Sequence, residues 1–104
     1  MYKIGIVGDR DSVLGYMSLG FGVFEASDAK TAGEYIDKLA WSDYAIIFIT
    51  QSYASELTEV INKYADKPLP AIVPLPDKSG SDYGEKILKS AVERAVGADI
   101  LFKD

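Results

Sequence analysis

The run Tyr44-Ala-Ile-Ile-Phe-Ile-Thr50 constrains the fold more than any other part of the chain. From Ala45 to Ile49 it has no polar side chain, so as a strand it has no face to offer water and must be covered on both sides. It is also far too short to cross a bilayer. Tyr2–Gly8 reads the same way. Two strands of this kind, separated by helix-like stretches, imply a parallel sheet with helices on both faces. Two weaker strand-like runs complete the sheet. One, around Val23–Ala26, is short and contains Glu25; the other, around Pro70–Leu75, contains Pro70 and Pro74, which cannot donate ladder hydrogen bonds. Both belong at edges. Right-handed crossovers then give the order 2-1-3-4.

The predicted helices are Ser12–Leu19, Asp28–Ala40, Ser55–Tyr64 and Asp82–Val96, the first and fourth on one face and the other two opposite. Ala29, Ala32, Ile36 and Leu39 share one side of the second helix, with Asp28 placed to cap it. The third shows Leu57, Val60, Ile61 and Tyr64. The fourth repeats Ile87/Leu88, Ala91/Val92 and Ala95/Val96 before Gly97, a suitable C-cap. The expected architecture is a single α/β domain, a doubly wound four-stranded parallel sheet of response-regulator-like or flavodoxin-like kind with one strand fewer. Residues 98–104 form a short tail. The loop Pro76–Ser81 is expected to be mobile, and Trp41 to seal the bottom of the core.

Composition narrows the chemistry. The 104 residues suffice for one core but not for separate cofactor and substrate domains. The net charge of −5 is shared by both halves, so no basic stripe exists for nucleic acid or an anionic membrane. With no cysteine and no histidine there is no disulfide, no thiolate metal site and no imidazole base. The N-terminus runs directly into the first strand without the pattern of a signal peptide, and no segment is apolar for long enough to span a membrane. A cytoplasmic protein without direct membrane insertion is expected.

In open parallel sheets, ligands favour the carboxyl ends of the strands at the switch point, here between the first and third strands. The loops there are Gly8-Asp9-Arg10-Asp11-Ser12 and Thr50-Gln51-Ser52. Asp9 and Asp11 resemble the acidic pair of a phospho-receiver, but Thr50-Gln51 stands where the phosphoacceptor aspartate belongs and Leu75-Pro76 supplies no switch hydroxyl. Gly5-Ile-Val-Gly8 is followed by Asp-Arg-Asp rather than a glycine-rich phosphate turn, and Walker A spacing is missing. Ser12, Ser52 and Ser55 have no histidine to activate them. These residues imply caps and turns: Asp9 or Asp11 at the first helix, Gly8 in the tight turn. No catalytic residue, cofactor site or metal site is expected.

An interaction domain remains. The first helix holds Val13, Leu14, Tyr16, Met17 and Leu19, more apolar bulk than one buried stripe uses. Val13, Tyr16 and Met17 are the side chains expected at the surface, rimmed by Asp9, Arg10, Asp11 and Gln51. Ile100 and Leu101 of the tail must fold back or dock elsewhere. If the first helix does not carry the contact, the fourth around Lys89 and Glu93 is the next candidate.

Four blocks in order carry a resemblance. Lys3-Ile-Gly-Ile-Val-Gly8-Asp9-Arg-Asp11-Ser-Val13-Leu-Gly15-Tyr16, Tyr44–Thr50, Lys67-Pro68-Leu-Pro70-Ala-Ile, and Ser90-Ala-Val92-Glu93-Arg-Ala95-Val96-Gly97-Ala-Asp-Ile-Leu101 resemble the F-subunit family of V/A-type ATPases. The resemblance implies a non-catalytic central-stalk rotor component that binds the coiled-coil D subunit inside the catalytic hexamer. That complex couples ATP synthesis or hydrolysis to proton or sodium transport, so the chain would be peripheral to the membrane through its partners. Phe102-Lys103-Asp104 runs past the usual Ile-Leu ending, and the Asp77–Tyr83 loop departs from the common glycine-rich version. A degenerate receiver serving as a signalling adaptor would share the fold without gripping a coiled coil, and a small flavin carrier would be yellow.

Overall fold

The structure, a computed structural model, describes residues 2–16, 21–77 and 82–97. Its elements run β1 (Lys3–Gly8), α1 (Arg10–Leu14), β2 (Gly22–Glu25), α2 (Ala29–Ala40), β3 (Tyr44–Thr50), α3 (Gln51–Ala54), α4 (Thr58–Asn62), β4 (Ala71–Leu75) and α5 (Asp82–Gly97). The four strands form one sheet in the order β2-β1-β3-β4, every pair parallel. This is the topology expected from the two apolar runs: β1 and β3 occupy the centre, and from Ala45 to Thr50 every residue of β3 is buried.

Each face of the sheet has its own core. On one, Ile6, Ile46, Phe48 and Leu75 pack with Val13 and Tyr16 from the α1 region and with Leu88 and Ala91 of α5. On the other, Val7, Ile47 and Ile49 meet Ala32, Ile36 and Leu39 of α2, together with Ala54, Leu57 and Tyr64. The period-two alternation along β3 thus feeds both cores at once. Asp28 starts α2 as expected, its carboxylate accepting from the Thr31 amide at 2.8 Å.

Three expectations need correction. The single helix predicted over Ser55–Tyr64 is two short helices, α3 beginning already at Gln51 and α4 starting after Leu57. Leu57 leaves helical geometry at φ −120°, ψ 30°, and its side chain lies where a Cβ on Gly33 of α2 would come within 3.1 Å. Burying Leu57 against α2 takes precedence over continuing one helix. Trp41 does not seal the core: it is 85% exposed on the turn after α2. Aromatic packing at that end is provided instead by Phe24, whose ring centroid lies 5.5 Å from Tyr35 and 6.0 Å from Tyr44. The first helix ends at Leu14 rather than Leu19, and residues 17–20 lie outside the described residues. So do 78–81, most of the loop expected to be mobile, and the 98–104 tail.

Among the described residues β4 is an edge strand, paired only with β3. A proline in such a strand must turn its nitrogen to the open side. Alternation then sends the Ile72 amide the same way as Pro74. Of these two positions on the open edge of β4, one has a donor.

Candidate functional site

The carboxyl ends of β1 and β3 are where a ligand would be sought. The structure fills that place. The Thr50 side chain is wholly buried and packs directly on Gly8: a Cβ at Gly8 would lie 2.4 Å from Thr50 Cγ2 and 2.7 Å from its Oγ1. Thr50 thus occupies the gap between the central strands that would otherwise open as a crevice. Its hydroxyl finds no hydrogen-bond partner among the described residues, the same condition as the Tyr16 hydroxyl.

The acidic residues around this end serve the backbone. Asp9 Oδ2 accepts from the Ser12 amide at 3.2 Å and caps α1. Asp28 caps α2, and Asp77 Oδ1 accepts from the Ser52 amide at 2.8 Å. Capping also holds the Asp28 carboxyl below its ordinary range, through the hydrogen bond from Thr31. Between them Tyr53 donates to the Ala26 carbonyl at 3.0 Å. Burial, and after it the negative charges of Asp9, Asp28, Asp77 and Glu56, push the Tyr53 phenol up. Three carboxylates each satisfy an amide at a helix start, which is structural work. Among the described residues no group of three or more acidic, His or Cys side chains could hold a metal.

The sequence-predicted contact residues separate into three groups. Arg10, Asp11 and Gln51 are exposed at this end, and Asp9 is half-buried by its capping role. Val13 and Tyr16, expected at the surface, are each only 1% exposed and belong to the core. The reason is the shortness of α1. A helix of so few residues has no second stripe to spare, so Val13 turns inward and the chain swings Tyr16 beneath the turn at Gly15. Burial, and then the charge of Glu85, push the Tyr16 phenol up. The exposed apolar residue of α1 is Leu14, at 45%. Met17, Ile100 and Leu101 lie outside the described residues.

A second surface lies on the same face of the sheet. Phe21, Glu85, Leu88, Lys89, Val92 and Glu93 line a groove of about 480 Å³ along α5. Phe21 is held from below by stacking on Phe48, ring centroids 6.4 Å apart and 22° between planes. Sequence reasoning gave Phe21 no role. The available signal was the recurrence of Glu85, Lys89 and Glu93 beside Leu88 and Val92, one charge per turn along an apolar strip.

Similarity to known proteins identifies the family of the chain. The profile of the ATP synthase (F/14-kDa) subunit family matches residues 4–95. The chain belongs to that family. It is 43% identical over 103 residues to the V-type ATP synthase F subunit of Clostridium perfringens, covering 97% of this chain and 98% of that one. Against the V-type ATP synthase F subunit of Fusobacterium nucleatum it is 39% identical over 102 residues, 97% of each chain. The A-type ATP synthase F subunit of Thermococcus kodakarensis is 36% identical over 106 aligned positions, 94% of this chain and 97% of that protein. As a member, the chain is a non-catalytic component of a rotary ATP synthase rather than an enzyme in its own right. Among the described residues no helix is long and apolar enough to cross a membrane.

Proposed function

We propose that this chain is the central-stalk F subunit of a V/A-type rotary ATP synthase, binding the coiled-coil D subunit and turning with it inside the catalytic hexamer. In that position it helps couple ATP synthesis or hydrolysis to proton or sodium transport. It sits on the cytoplasmic side, held at the membrane through the complex. The observation that carries this reading is the near full-length similarity to F subunits of both V-type and A-type enzymes. Two features of the structure support a binding role. The switch point is closed by Thr50 against Gly8, and the acidic residues beside it are engaged as helix caps.

The contact surface belongs on the face carried by α1 and α5. Leu14 takes the part expected of Val13 and Tyr16, which act from beneath by fixing α1 on the sheet. Asp9, Arg10, Asp11 and Gln51 form the charged and polar rim at the upper end. Met17, Ile100 and Leu101 remain candidates for contacts with the stalk coiled coil or the hexamer.

The test is co-purification of the chain with the cognate D subunit, followed by analytical ultracentrifugation. A stable one-to-one complex is expected, and a mixture sedimenting as separate components would refute the reading. The receiver-like adaptor is the competing reading, and it is tested by incubation with acetyl phosphate and magnesium. With Thr50 in place of an acceptor aspartate, no stable phosphoryl group should be retained.

A further inference from the structure

We propose that the groove between Phe21 and α5 seats one amphipathic helix of a partner, its register set by the charge sequence of Glu85, Lys89 and Glu93. This rests on the stalk reading, which supplies the coiled coil used in the test. The groove floor is Leu88 and Val92, four residues apart and therefore one above the other on α5. Phe21 forms its wall and cannot easily fold away, because it is stacked on the buried Phe48. Glu85 to Glu93 spans about 12 Å of helix, enough for two turns of a second helix to lie alongside.

The charges narrow the occupant further. Glu85, Lys89 and Glu93 are all exposed and give a negative, positive, negative series at one residue per turn. A docked helix repeats side chains at nearly the same interval of about 6 Å, so a helix of the stalk coiled coil can meet each charge with its opposite. The occupant is thus a helix with apolar residues at i and i+4 for the groove, flanked by a basic, acidic, basic series. A shift of one turn brings like charges together, so the same residues that attract the partner in register oppose it out of register.

The experiment measures the affinity of the full-length chain for the cognate coiled-coil D subunit, at low and at high salt. The charge exchange Glu85→Lys with Lys89→Glu conserves net charge and touches only exposed residues. It should weaken binding roughly tenfold at low salt and less at high salt. The matched exchange on α2, Lys30→Glu with Glu34→Lys, should leave affinity unchanged. Val92→Asp puts a charge on the groove floor and should cost roughly thirtyfold; should it fail to fold, the surface exchange still decides. If the unmodified chain binds and the α5 exchange binds equally well, or loses no more than the α2 exchange, this docking is overturned and the stalk reading stands. If the unmodified chain does not bind the coiled coil, the stalk reading fails and this docking with it.

Discussion

Gly8→Ala should be among the most damaging single methyl additions this domain can receive, and the reason lies in one contact. The Gly8 backbone lies outside the left-handed region, so alanine meets no conformational penalty there. What it meets is Thr50, with Cγ2 at 2.4 Å, Oγ1 at 2.7 Å and Cβ at 3.1 Å from the new methyl. Carbon pairs settle at about 3.5–4.0 Å, so roughly 1 Å of separation must be found. Thr50 is wholly buried and cannot swing away, and the strands carrying the two residues are neighbours in the sheet's centre. Overpacking of this kind costs about 1–3 kcal/mol, and the immobility of both sides argues for the upper end. For a domain of this size that is a fall in melting temperature of roughly 10–20 °C. The assay is urea and thermal unfolding followed by circular dichroism, on the four members of the cycle Gly8→Ala, Thr50→Ala, both, and neither. Thr50→Ala removes Cγ2 and Oγ1, so the double variant should recover about 1 kcal/mol or more relative to additivity. The reasoning is refuted if Gly8→Ala is nearly neutral, or if it costs the same in both backgrounds.

Thr50→Val keeps the shape and removes a buried hydroxyl that has no partner among the described residues; unfolding should show stabilisation by about 1 kcal/mol. Tyr64 donates to Asp37 at 2.6 Å, and burial followed by that hydrogen bond pushes its phenol up from 10.0 to about 12. A raised folded pKa favours the neutral phenol, so this contribution is complete below pH 10 and lost as pH rises from 10 towards about 12; Tyr64→Phe should flatten the decline of stability in that window. Asp37 supplies the acid counterpart: burial pushes its carboxyl up, but hydrogen bonds from Lys63 and Tyr64 outweigh burial and hold it below its ordinary value of 3.8. Its contribution is present above pH 3.8 and fades as pH falls below it, so Asp37→Asn should reduce the acid dependence seen in melts. Trp41→Ala should change stability by less than about 0.5 kcal/mol, and the tryptophan emission of the unmodified chain should already be red-shifted, since Trp41 is 85% exposed.

The sheet could be read from the sequence because its information is local and redundant. Ala45–Ile49 has no polar face, prolines disqualify β4 from the centre, and Asp9 and Asp28 each stand at the start of a helix they cap. The proposed binding surface could not be read the same way, because it depends on where a helix stops. Extending α1 to Leu19 gives five large apolar side chains to one helix and makes some of them surplus. Ending it at Leu14 makes Val13 and Tyr16 necessary to the core. Trp41 misleads for a related reason: a large aromatic next to a central strand suggests a plug, but Phe24, Tyr35 and Tyr44 already pack together at that end. The similarity across the whole chain is visible without coordinates, since it lies in the order of blocks rather than in any side chain's orientation.

Pro74 in β4 bears on how this domain can meet other chains. A sheet grows by strand addition only where an edge offers alternating donors and acceptors, and Pro74 leaves the Ile72 amide as the one donor of β4 on this side. The other edge, β2, has only four residues. Copies of the domain crowded together have little template for edge-to-edge association, and a partner gains little by approaching in the plane of the sheet. This fits the proposal that recognition uses the helix-covered faces, where side chains rather than backbone amides choose the partner. The Ile72 amide should accordingly exchange with solvent at the same rate in the free domain and in complex with the stalk coiled coil.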